Sequence, residues 1–113
     1  MVVHTTLGIS PERIPLGIIH QQTWVRPPQE HGKKHDRHNT AIRDKESQKW
    51  INSLWATEQL QKDCPETLII NEGDREADIY ELFQQAKAHQ IRCKLLVRAA
   101  HDRRLAANPQ EHL

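Results

Sequence analysis

Between Pro65 and Tyr80 the chain has few ways to arrange itself. Thr67 to Ile70 is an apolar, β-branched run, too short for a helix and bounded by Pro65 and Gly73, and it reads as a short buried strand. A polar turn containing Gly73 follows, and a helical pattern begins at Asp74. A strand that feeds straight into a helix belongs to an α/β unit, and side chains at such a junction stand at the rim where these sheets build their sites. Asp74 has two readings at this point. It is the N-cap of the next helix, or it is a working carboxylate held by the strand behind it. Asp78 with Glu81 offers a second cap arrangement.

The residues before this junction supply a hairpin and a helix. Val2 to Ile9 and Ile14 to Trp24 are strand-like runs around Ser10-Pro11-Glu12-Arg13, with Ser10 and Pro11 suited to the first two positions of a turn. Pro15 falls at the start of the second strand, where a missing N–H is tolerated. His4 and His20 read as partly exposed strand residues. From Arg26 to Arg43 the chain is polar and basic, and it reads as a long loop. Its histidines, His31, His35 and His38, have a spacing that suits a metal only on a helix, and no apolar stripe is there to hold one. A helix is expected from Asp44 to Lys62, with Trp50, Ile51, Leu54, Trp55 and Leu60 on its stripe and Pro65 beyond its end. Both tryptophans read as core. A second helix, Arg75 to His89, and a strand, Arg92 to Arg98, complete a β-α-β crossover, and a polar tail closes no further element.

The expected architecture is therefore α/β: β-hairpin, helix, strand, helix, strand, in one domain over residues 1–105, with a basic loop at 26–43 and a tail at 106–113. Composition limits the function classes. At 36% hydrophobic and 27% charged the 113 residues suit a small globular domain, and a formal net charge of +1 gives no global pull towards nucleic acid or membrane. DNA contact must come from local patches, and Lys33, Lys34, Arg37, Lys45, Lys49 and Arg103 are the candidates. No apolar run reaches the roughly 18 residues of a membrane span, and the first residues have no signal-peptide pattern. Cys64 and Cys93 form neither a CxxC pair nor a disulfide framework, so a reducing cytoplasm is the expected setting.

Gly73-Asp74-Arg75-Glu76-Ala77-Asp78-Ile79-Tyr80 resembles the G-D-R-E-A-D-I-[YH] signature of bacterial insertion-sequence DDE transposases, the cut-and-paste branch that also carries a Y-R-E-K signature. Val3-His4, Leu16-Gly17-Ile18-Ile19, Gln21, Trp24-Val25-Arg26-Pro27, Gly32-Lys33-Lys34-His35, Lys45-Glu46-Ser47-Gln48-Lys49-Trp50 and Leu96-Val97-Arg98 are similar to further family segments in matching order. The resemblance spans Val3 to about Leu105. It implies a partial ribonuclease H-like catalytic domain, with Asp74 as the second carboxylate of an Asp-Asp-Glu triad and a ligand for Mg²⁺ or Mn²⁺. Arg75 and Asp78 would support it from behind. Hard cations of this kind take few carboxylates and several waters, and two of them roughly 3.5–4 Å apart stabilise the attacking and leaving oxygens of an in-line phosphodiester displacement. The family's first Asp-bearing strand and its Y-x2-R-x3-E-x6-K helix have no counterpart in these residues. The resemblance thus implies a transposase fragment, inactive alone in DNA cleavage and strand transfer, whose partners are transposon-end DNA, full-length transposase or itself. The alternative is a truncated protein that binds DNA or transposase without catalysis.

Overall fold

The computed structural model describes residues 1–25, 34–105 and 108–112, with side chains described for 1–25 and 46–103. The hairpin forms where the sequence puts it. Strands β1 (Val2–Ile9) and β2 (Pro15–Trp24) pair antiparallel from Val2↔Trp24 to Ile9↔Pro15, with irregularities after Thr6 and Gly8. Their turn is closed by Arg13 N–H donating to Ser10 O at 2.9 Å, so Pro11 takes the second turn position that its fixed φ favours. Its faces, however, are used in an unexpected way. The half-buried side of β1 carries Val2, His4, Thr6 and Gly8, while Val3, Leu7 and Ile9 point outwards.

Helix α1 (Lys34–Asp63) is longer than the sequence suggests. Its end matches the stop imposed by Pro65, but it starts ten residues before the expected Asp44, so residues 34–43 are helix and not loop. Those ten residues contain neither glycine nor proline. Once the packed half is nucleated, extending a helix costs far less than starting one, and an apolar stripe is not required. Residues 26–33 of the expected loop, including Lys33 and His31, lie outside the described residues, as do the side chains of Lys34, His35, Arg37, His38 and Lys45.

Strand β3 (Ile70–Gly73) is displaced three residues from the expected Thr67–Ile70. Gln61 on α1 is the cause. Its amide donates to Cys64 O at 3.0 Å and Thr67 O at 2.7 Å and accepts from Ile69 N–H at 3.1 Å, so residues 64–67 are tied to the helix end, and bonding to β4 begins only at Ile69 O, which accepts from Lys94 N–H at 2.9 Å. A 3-10 helix (Arg75–Ala77), helix α2 (Tyr80–Ala88) and strand β4 (Lys94–Val97) follow. The expected single helix from Arg75 is thus split at Asp78 and Ile79. Strands β3 and β4 pair in parallel, Ile70↔Lys94 through Gly73↔Val97, which completes the crossover. The tail does close an element: β5 (Arg104–Leu105) and β6 (Asn108–His112) form an antiparallel pair.

The described chain is mixed α/β with three two-stranded sheets. Its core lies where α1 and α2 meet the inner face of β3–β4. Leu54, Ala77, Leu82 and Cys93 are fully enclosed there, with Trp50, Ile51, Ile79, Leu95 and Val97 packed around them. The first sheet rests on the preceding turns of α1 through polar contacts: Thr6 Oγ1 with Ser53 Oγ at 2.6 Å, and Gln22 with Lys49 O and Asn52 at 3.0 and 2.9 Å. Among the described residues no helix is long and apolar enough to cross a membrane.

Candidate active-site rim at the end of β3

Asp74 leaves β3 directly, without the intervening turn the sequence suggested, because Gly73 is itself the last strand residue. Its backbone is extended, and its Oδ1 accepts from Glu76 N–H at 2.9 Å, capping the 3-10 helix. The cap reading is therefore realised. The carboxylate nonetheless remains exposed, and no described contact takes Oδ2. A capped, exposed carboxylate at the carboxyl end of a parallel strand is held at its backbone and open at its tip, a geometry that allows capping and ligation together.

Gly73 makes this junction possible. A Cβ placed on it would lie 2.5 Å from the Cβ of Ala77 and 3.4 Å from Cζ3 of Trp50. The strand and the 3-10 helix approach too closely for any side chain. Gly73→Ala is expected to destabilise the fold by about 1–3 kcal/mol, the usual cost of overpacking, in urea denaturation. An unchanged midpoint would mean that strand and turn do not meet this closely.

The neighbouring residues of the signature do different work. Arg75 is exposed. Asp78 is 3% exposed. It neither caps α2, whose N-cap is Ile79, nor supports Asp74; it gathers the segment after β4 instead. Its Oδ2 accepts from Ala100 and His101 N–H at 2.6 and 2.9 Å, and its Oδ1 pairs with Arg103. The Ala100 N–H, opposed by burial and joined by His101 and Arg103, holds this carboxyl below its ordinary 3.8. Arg103 also donates to Asp78 O at 3.0 Å and lies 5.8 Å from the ring of Phe83.

Two of the basic candidates are thus already engaged. Arg103 holds Asp78. Lys49 is buried, 2.9 Å from Glu46 and 3.4 Å from Glu76, with its ammonium 5.6 Å from the centre of the Trp50 ring. A lysine enclosed by two carboxylates offers a phosphate little. Lys49 and these neighbours, with Ser47, line a shallow cleft of about 250 Å³ beside the Asp74 turn. His4 enters the same seam edge-on to Trp50, ring centres 4.8 Å apart. Burial, then the charges of Lys49 and His20, hold its pKa below 6.5 against the opposing pull of Glu46 and Glu76.

Sequence reasoning missed Glu46 and Glu76 as the partners of Lys49. The i, i+3 spacing of Glu46 and Lys49 on a helix was available as a signal. The 27-residue separation from Glu76 was not. Among the described residues, no three His, Cys, Asp or Glu side chains converge to hold a metal ion. Compared with known proteins, the chain matches no family model and no curated protein.

Proposed function

We propose that this chain is the central part of a DDE transposase catalytic domain and that Asp74 is one of its metal-ligating carboxylates. The observation that carries the reading is the position of Asp74, exposed at the carboxyl end of a strand in a parallel pair, with one oxygen that no contact among the described residues takes. The signature from Gly73 to Tyr80 and the ordered segments around it supply the family. A partial ribonuclease H-like arrangement suits the observed order of hairpin, helix, strand, helix and strand. In that arrangement the family's first Asp-bearing strand fits between β1 and β3. Among the described residues each of these has a single pairing partner, and Trp50 touches His4 on one and borders Gly73 on the other.

The residues present do not by themselves make a two-metal site, since Asp74 supplies one carboxylate and Asp78 is spent on the segment after β4. The missing ligands must come from other segments, so the decisive test begins with the DNA on either side of the reading frame. It should encode an Asp-bearing strand upstream and a Y-x2-R-x3-E-x6-K helix downstream. Joined to both, the protein should cleave transposon-end DNA with Mg²⁺ or Mn²⁺. In that product Asp74→Ala should reduce cleavage to background while circular dichroism stays unchanged. Absence of both flanking segments, or cleavage that survives Asp74→Ala, would overturn the proposal. The DNA-binding reading finds less support, because Lys49 and Arg103 are both held by carboxylates.

A further inference from the structure

The face of the hairpin that rests on α1 holds an imidazole, and the hydrogen bonds around it suit only one of its protonation states. His4 is half-buried, edge-on to Trp50, and Gln22 stands opposite it in the strand register. The Gln22 side chain is fixed from two sides. Its Nε2 donates to Lys49 O at 3.0 Å, and its Oε1 accepts from Asn52 Nδ2 at 2.9 Å. The same Nε2 lies 3.4 Å from His4 Nδ1, so an amide N–H faces that ring nitrogen. Nδ1 accepts it only while it carries no proton, which makes His4 a neutral imidazole with its hydrogen on Nε2.

A second proton on the ring breaks this arrangement. The imidazolium carries N–H on both nitrogens, so donor meets donor at Nδ1. Turning the Gln22 amide over would offer Oε1 to the ring but set that oxygen against Lys49 O, a backbone carbonyl that can only accept. Among the described residues the charges that act on the ring come from three elements: Lys49 and Glu46 on α1, His20 on β2 and Glu76 on the 3-10 helix. The two glutamates favour the imidazolium, but both already face the Lys49 ammonium. Burial, Lys49 and His20 outweigh them. The ring and the Gln22 amide also help to hold the hairpin on α1, beside the hydrogen bond of Thr6 with Ser53. Detached from that support, a two-stranded hairpin is marginal in water.

We propose that His4 is a proton-operated catch: the neutral ring holds the hairpin against α1, and protonation releases it. This inference does not depend on the role of Asp74. His4 binds fewer protons with the hairpin docked than with it free. Its contribution is therefore complete above the ordinary histidine value of 6.5 and is lost as pH falls through the lower docked value. The 113-residue chain is tested from about pH 8 to about pH 5, where ordinary carboxylates stay mostly ionised. Nitrogen-15 NMR of the imidazole should find the neutral ring protonated on Nε2 and a midpoint below 6.5. Across that titration the amides of β1 and β2 should lose hydrogen-exchange protection, corrected for intrinsic rates, while β3 and β4 keep theirs. The loss should be about tenfold for each pH unit between the midpoint and 6.5. His4→Phe keeps an edge-on ring without a titrating nitrogen and should remove the pH dependence. Gln22→Glu gives the imidazolium an acceptor and should raise the midpoint of His4. A neutral ring protonated on Nδ1 or a midpoint at 6.5 or above would overturn the proposal, and both are read on the wild-type chain. Loosening that persists in His4→Phe, or an unmoved midpoint in Gln22→Glu, would overturn it as well.

Discussion

Glu58→Ala is expected to destabilise the chain by about 2–5 kcal/mol, a large part of the stability of a domain of this size. Glu58 is 5% exposed on α1. Its two oxygens accept from Arg92 N–H at 2.9 and 2.8 Å and from Cys93 N–H at 3.0 Å. These groups precede β4, so the carboxylate clamps the start of that strand to the helix and helps to set the Ile70↔Lys94 register. Removing it leaves backbone donors without an acceptor beside the core, which costs more than the loss of the hydrogen bonds alone. Glu58→Gln keeps one acceptor oxygen and should lose about half as much. Urea denaturation gives the size of the effect, and Cys93 gives its location. Burial, with the charge and hydrogen bond of Glu58, pushes that thiol up to about 11, whereas Cys64 is half-buried. In the alanine variant Cys93 should react far faster with a thiol reagent, while Cys64 changes little. An unchanged midpoint with Cys93 still protected would remove Glu58 as the clamp.

The same carboxylate makes stability depend on pH. Burial raises its pKa, but the backbone N–H groups of Cys93 and Arg92, with Lys62 beyond them, outweigh burial and hold it below 4.5. A carboxyl with a depressed folded pKa binds fewer protons folded than unfolded. Its contribution is complete above the unfolded value and is lost as pH falls through the folded one. Acidification below about pH 4.5 should therefore erode stability in the wild-type chain. Glu58→Ala should flatten that limb.

What the sequence disclosed and what it hid follow from the range of the forces involved. The hairpin was readable because Ser10, Pro11 and Pro15 act locally on the backbone, and the end of α1 was readable because Pro65 does the same. The start of α1 was hidden, since residues 34–43 carry no apolar stripe and periodicity detects only a helix with a buried side. The shift of β3 was hidden in one glutamine, whose hydrogen bonds reach residues three to eight positions ahead. The tail strands include Asn108-Pro109-Gln110-Glu111-His112, which has no apolar alternation to announce a sheet. At the candidate site, the sequence put a polar turn between the strand and Asp74 and left open whether Asp74 caps or acts; it follows β3 directly, and it does cap. The roles of Glu58 and Asp78 were beyond reach. Their partners lie 34 and 22 residues or more along the chain and are mostly backbone N–H groups, which every residue except proline has.

Trp50→Ala is expected to cost about 3 kcal/mol, the lower end of the range for removing a large aromatic from a core, because the ring is half-buried. Its consequence should be larger in one place than in the rest. The ring packs against the Leu54–Leu82 core, meets His4 of β1 edge-on and lies beside Gly73 at the end of β3. It is thus an apolar link between the hairpin and the β-α-β unit, beside the hydrogen bonds that Thr6 and Gln22 make to α1. Such polar contacts exchange readily with water and contribute on the order of 1 kcal/mol each. Without the ring, hairpin amides should lose hydrogen-exchange protection before those of β3 and β4, separating one cooperative unit into two. Trp50→Phe should retain the link at reduced stability. Uniform loss of protection would mean that the ring serves the core alone. DNA binding lost at unchanged stability would instead make Trp50 a stacking surface, and the core assignment would fall.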